Sequence, residues 1–165
     1  MNIHSASCSP PLPRDAILRA AIDVFAERSY FNAQVADVAR AAGVAAIEDP
    51  AERLRRFAQL HLAMLGRDRN LAIVVQVELR QSVKFMERFS ATLLREYLGQ
   101  IRATIEAGQK SGVFRKNLNA TTVAKMFFGA LDEMATNWIL SRRRYNLELD
   151  ADAVVDIFLD GTRPR

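Results

Sequence analysis

From Phe85 to Ile105 a large apolar residue recurs at every fourth position: Phe85, Phe89, Leu93, Tyr97, Ile101 and Ile105. Steps of four return to nearly the same side of an α-helix, so this register predicts a long helix with one apolar face. The same periodicity runs through the rest of the chain, and no stretch alternates convincingly as a strand. Ile17, Ala20, Ala21, Val24 and Phe25 mark a first helix closed near Ser29-Tyr30. Val35, Val38, Ala39 and Ala42 mark a shorter second one, and Gly43 supplies the residue that can leave a helix with positive φ. Leu54, Phe57, Ala58, His61, Met64 and Leu65 form the face of another, ended by Gly66 and the charged run Arg67-Asp68-Arg69-Asn70. Leu71 to Ser82 reads as a helix apolar nearly all round, and Gly108 with Ser111-Gly112 stops the long helix after it. Asn119-Ala120 opens the next, where Val123, Met126, Phe127, Ala130, Leu131, Met134 and Trp138 make one apolar face. Ala124, Phe128, Ala135 and Ile139 make its other side apolar too. A short last helix carries Ala153, Val154, Ile157 and Phe158. The expected class is all-α.

The junction after Gly43 restricts the architecture further. Asp49-Pro50-Ala51-Glu52 reads as a helix start, with Asp49 as N-cap, Pro50 at the first helical position and Glu52 placed for a capping box. Between Gly43 and that start lie only Val44 to Asp49, and the residue before a proline is pushed away from helical ψ. Two helices and a glycine turn therefore resemble the opening of a helix-turn-helix, but no second, base-reading helix fits behind them.

Composition narrows the function classes. Of 165 residues half are hydrophobic and a quarter charged, which suits a globular domain with a real core. The run Leu71-Ala72-Ile73-Val74-Val75 is too short to span a bilayer, so no membrane partner is expected. The start, MNIHSASCSPPLPRD, lacks the apolar stretch of an export signal, and residues 1–13 read as a disordered arm of a cytoplasmic protein. The single cysteine, Cys8, forms no internal disulfide and no thiolate cluster. The net charge of +4 is not at the N-terminal end, where Arg14, Arg19, Arg28 and Arg40 face six carboxylates. It lies in Arg53/Arg55/Arg56, Arg67/Arg69 and Arg142-Arg143-Arg144, which read first as solvated surface. Neither G-x-S-x-G, P-loop nor H-E-x-x-H occurs, and only His4 and His61 could serve as histidine bases, so an enzyme is not expected. No metal site is expected either: His61 has Ala58 three residues earlier, not the Glu of a carboxylate-bridged bundle, and reads as a core-edge histidine. Glu78 and Arg80, inside the apolar run, read as a buried structural pair.

The segment AILRAAIDVFAERSYFNAQVADVARAAGV, Ala16 to Val44, resembles the N-terminal part of the DNA-binding domain of TetR/AcrR-type transcriptional regulators. The segments NLAIVVQVELRQS, SGVFRKNLNATTVAKMFFGALDEMATNWIL and RRYNLELDADAVVDIF are similar to the ligand-binding domain of the FadR-like branch, repressors of fatty-acid degradation that release DNA on binding long-chain acyl-CoA. The resemblance runs from Ala16 to Ile157. It implies a TetR-like helical bundle for ligand binding and dimerisation over 49–165, preceded by an incomplete helix-turn-helix domain over 14–48. It also implies a homodimer, operator DNA as partner, and long-chain acyl-CoA as effector with no cofactor.

The chain departs from that pattern where family members carry a recognition helix (G-T-x-Y-x-Y-F-x-x-K) and then a helix linking the two domains. No DNA-contacting residue carries over, only a scaffold role for Val35, Ala39 and Gly43. DNA binding is therefore expected to be impaired, and a dimerising, acyl-CoA-binding module that reads no operator is the alternative. The resemblance and the aromatic stripe together suggest a ligand pocket from Phe85, Phe89, Leu93, Tyr97, Met126 and Phe127; the stripe alone would equally suit ordinary core. They suggest a dimer interface from Phe128, Trp138 and Ile157. The groove vacated by the missing linking helix is expected to be filled in part by the first helix, through Ile17, Val24 and Phe25.

Overall fold

The computed structural model describes residues 43–73, 76–77, 87 and 94–164. Five helices are described: α1 (Pro50–Arg67), α2 (Arg69–Ile73), α3 (Leu94–Ser111), α4 (Ala120–Leu140) and α5 (Asp150–Thr162), with no strand among the described residues. The two helices expected before Gly43, most of the run from Leu71 to Ser82 and the long helix before Leu94 lie outside them.

Gly43 has φ 66°, the left-handed conformation expected of a residue leaving a helix. One 3-10 turn, Val44–Ala46, comes after it, and the backbone is then extended at Ile47 and Asp49. The Asp49 side chain accepts from the Ala51 amide at 2.9 Å and Pro50 occupies the first turn, so α1 starts where the sequence places its cap. The Arg53 guanidinium donates to the Ile47 carbonyl, with Nε at 2.9 Å, and ties the turn to the helix.

α1 is the central element. Leu54, Phe57, Ala58, His61, Leu62 and Leu65 are buried, and α3, α4 and α5 all pack against it. Leu62 is not part of the expected face, yet it is fully enclosed, worth roughly 1.5–3 kcal/mol for a side chain of that size. On the opposite edge Arg55 bridges to Asp152 (3.0 Å) and Asp156 (2.6 Å) of α5, and Gln59 adds a bond to Asp152 at 3.2 Å.

α3 runs through Gly108, which the sequence marks as a stop, and ends at Gly112 with φ 83°. Gly108 is inside the helix for a steric reason: a Cβ there would stand 2.1 Å from Cδ2 of Phe114, whose ring folds back against the helix and is 2% exposed. The Phe114 amide donates to the Gly108 carbonyl at 3.0 Å. Asn119 caps α4 through its side chain to Thr122 N at 3.0 Å, as its position predicts. A 3-10 turn at Leu147–Leu149 leads into α5, which has thirteen residues, longer than the Ala153–Phe158 segment expected. No helix among the described residues is long and apolar enough to cross a membrane.

Candidate functional site

The core between α1, α3 and α4 is aromatic and carries buried polar groups. Phe57 of α1 packs on Tyr97 of α3 (centroids 4.6 Å apart, 57°), and Phe128 of α4 meets Tyr97 edge-on at 5.4 Å. His61, one turn beyond Phe57, lies 5.6 Å from the Tyr97 ring and 6.2 Å from Phe128. Its Nδ1 shares a 2.5 Å hydrogen bond with the Tyr97 hydroxyl. Burial, and secondarily the Asp132 carboxylate, hold the Tyr97 phenol well above its ordinary pKa, so it stays neutral. Asp132, one turn after Phe128, accepts from Gln76 Nε2 at 3.0 Å. The His61–Tyr97 bond ties α1 to α3 and the Gln76–Asp132 bond ties α4 to the segment at residues 76–77, which offsets part of the cost of burying these groups.

The helical phase of α4 sorts the expected pocket residues. Tyr97 stands in the cluster. Phe127 is fully buried but faces α5, where its ring meets Phe158 at 4.7 Å. Met126 is corrected: it stands on the outer face of α4, 67% exposed, about 100° round the helix from Phe127. Phe85, Phe89 and Leu93 lie outside the described residues, as do Val35, Ala39 and the pair Glu78 and Arg80. Phe57, His61, Gln76, Phe128 and Asp132 are the cluster residues that sequence reasoning did not assign to the pocket, having read Phe57 and His61 as one core face and Phe128 as interface. The i, i+4 relation of Phe57 to His61 and of Phe128 to Asp132 is the signal that could have found them.

The expected interface residues divide likewise. Ile157 is 76% exposed on α5. Phe128 is corrected to the inner cluster, and Trp138 to the interior of the subunit: its Nε1 donates to the Tyr145 carbonyl at 2.8 Å and the Arg69 guanidinium lies 5.1 Å over its ring. The outward faces carry Met126 and Leu140 on α4, Ile157 on α5, and Leu149 in the turn before it, all exposed. Exposed Gly129 and Ala153 stand among them, small enough to let another backbone approach.

A groove of about 460 Å³ runs between α3 and α4, with Leu94, Leu98, Gly99 and Ala124 on its floor and Arg95, Arg102 and Lys125 on its rim. Arg102 pairs with Glu106 at 3.5 Å, whereas Arg95 and Lys125 have no ion-pair partner among the described residues.

Residues 29–161 match the family described as "YsiA-like protein, C-terminal region", a C-terminal domain of TetR-type regulators. The chain is 28% identical over 180 residues to the fatty acid metabolism regulator protein of Bacillus subtilis, covering 88% of this chain and 93% of that one. Since 88% of 165 residues is about 145, about 35 of the 180 aligned positions have no counterpart here. Its fold is similar to that of the transcriptional regulator FadR from Bacillus subtilis in complex with stearoyl-CoA (TM-score 0.73, 22% identity, 90% of this chain and 99% of that one). It is also similar to the fatty acid degradation regulator FadR from Bacillus halodurans (TM-score 0.67, 28% identity, 92% of this chain and 100% of that one).

Proposed function

Because the chain belongs to the TetR-type regulators, in the family described as YsiA-like protein, C-terminal region, we propose that it is the sensing and dimerising part of a fatty-acid-metabolism repressor whose effector is a long-chain acyl-CoA. The observation that carries this reading is the Phe57–Tyr97–Phe128 cluster, built by three helices of a bundle whose structural relative binds stearoyl-CoA. An acyl chain entering beside such a cluster gains roughly 0.8 kcal/mol for each buried CH₂, so affinity rises with chain length. The groove rimmed by Arg95, Arg102 and Lys125 supplies cations at the surface of the same helix pair for the phosphates of the carrier. The chain is cytoplasmic, performs no catalysis and needs no cofactor.

The second part of the reading is a two-fold homodimer through α4 and α5. Met126, Leu140, Leu149 and Ile157 are large apolar side chains left exposed on α4, on α5 and in the turn that leads into it, and a partner would cover them. A two-fold axis lays the same surface of a second copy against them, giving a four-helix interface.

The third part concerns DNA. A 3-10 turn of three residues stands where a recognition helix would come after Gly43. The roughly 35 missing aligned positions leave room for that helix and a linking helix, at about 11–12 residues for an average helix. We place their loss between Val44 and Asp49. Residues 14–48 are then the remnant of a helix-turn-helix domain with Val35, Ala39 and Gly43 as scaffold, and operator recognition is impaired.

Calorimetry tests the effector. Palmitoyl-CoA should release heat with a negative heat-capacity change, and free CoA should not. Identical responses to the two would overturn the proposal.

A further inference from the structure

Two arginine runs far apart in sequence meet at one end of the bundle. Arg69, at the start of α2, donates from Nη2 to the Ile139 carbonyl (3.0 Å) and the Ser141 carbonyl (2.5 Å) while lying over Trp138. Trp138 in turn holds the Tyr145 carbonyl, and Ser141 Oγ accepts from the Arg143 amide at 3.1 Å. The loop between α4 and α5 is thus fastened at Ser141 and Tyr145. Arg142, Arg143 and Arg144 project from it into solvent. Beside them a cleft of about 390 Å³ is bordered by Arg67, Arg144 and Tyr145.

Arg67, Arg142, Arg143 and Arg144 are exposed and form no ion pair among the described residues. Two carboxylates stand beside them, Asp68 in the same cleft, where it accepts from the Asn70 amide at 2.9 Å, and Glu148 in the adjoining cleft with Arg67, so four exposed guanidiniums outnumber them. Leu140 and Leu149, both exposed, flank the loop.

We propose that the Arg142–Arg144 loop together with Arg67 is a docking surface for the phosphodiester backbone of duplex DNA. It goes beyond the ligand-sensing reading and does not depend on it. The DNA partner is inferred from membership of a transcription-regulator family, and the charge complementarity is direct: guanidinium forks match phosphate oxygens, and fastening the loop lowers the ordering cost of each contact. Backbone contacts carry no base information, so binding here is independent of sequence. It places a nucleic-acid contact on the ligand-binding domain, away from the helix-turn-helix remnant.

Fluorescence anisotropy with a short labelled duplex of arbitrary sequence, titrated with salt, tests this. Four contacts per protomer give a log–log salt slope of about −3.6, which is about a 150-fold loss of affinity between 50 and 200 mM salt. The variant Arg142→Gln/Arg143→Gln/Arg144→Gln should flatten that slope by about 2.7. Removing the same charge from the opposite end of the bundle, with Lys110→Gln/Lys116→Gln/Arg163→Gln where α3 and α5 finish, should leave it unchanged. Should the triple variant melt early, Arg143→Gln alone must still lower the slope by about 0.9. Equal losses from both triple variants, no duplex binding by the native chain at low salt, or binding to phosphatidylglycerol vesicles but not to DNA would each overturn the proposal.

Discussion

Gly108→Ala separates steric packing from helix propensity, because the two predict opposite signs. Propensity alone favours alanine inside a helix by roughly 0.5–1 kcal/mol. In this fold the new methyl would stand 2.1 Å from Phe114 Cδ2, 2.4 Å from Cε2 and 3.1 Å from Cγ, inside the ring's van der Waals envelope. The ring cannot shift by tenths of an ångström to clear such a contact; it must leave a site where it is 2% exposed. Expelling a buried phenylalanine costs about 3–5 kcal/mol, so after the propensity gain the net destabilisation is about 2–4 kcal/mol. For a chain of this size that lowers Tm by about 4–16 °C. Circular-dichroism melts of Gly108→Ala, Phe114→Ala and the double variant check the mechanism. If the ring is the obstacle, the double variant is no less stable than Phe114→Ala alone, a large favourable coupling. Additive losses, or a stabilised Gly108→Ala, would refute the reasoning.

Removing the Tyr97 hydroxyl with Tyr97→Phe deletes its buried hydrogen bond to His61 Nδ1 and should cost about 0.5–1.5 kcal/mol in chemical denaturation. The same residue governs alkaline stability. Its folded pKa is raised above the unfolded value of about 10, so its stabilising contribution is complete below that value and is lost as pH rises through the folded pKa. Melts above pH 10 should therefore decline less steeply for Tyr97→Phe than for the native chain. Ile157→Glu or Met126→Glu should yield monomers with native helix content in light scattering, since each charge appears twice in a two-fold interface. Phe128→Glu should unfold the chain rather than dissociate it, and an intact dimer for both outer-face variants would remove α4 and α5 from the interface.

Local signals carried well from sequence to structure. Asp49-Pro50, Asn119 and the left-handed Gly43 are read from a few adjacent residues, and each does in the fold what its neighbours require. The phase of α4 was not legible, because both its sides are apolar and a two-sided pattern does not say which side meets the same chain. Met126 and Phe128 exchanged places for that reason: Met126 faces outward and Phe128 lies against Tyr97. Phe114 and Leu147, both almost wholly enclosed, belong to short connections without periodicity to reveal them. Gly108 reads as a helix end because its role depends on a ring six residues further on, brought back by a turn. Arg69 reads as solvated charge because its partners, Trp138 and the carbonyls of Ile139 and Ser141, are about seventy residues away.

The stack of Arg69 on Trp138 makes this protein its own optical instrument. The chain has a single tryptophan, so indole emission reports one place only, the platform beneath the arginine loop. A guanidinium held against the ring and a hydrogen bond from Nε1 to the Tyr145 carbonyl set its polarity and quenching. Any event that draws Arg69 off the ring or loosens the Tyr145 backbone changes emission colour and lifetime without a label. An occupant confined to the Phe57–Tyr97–Phe128 cluster would alter that light only through a movement passed along α4, so a single steady-state spectrum can distinguish transmitted motion from silent filling of the core.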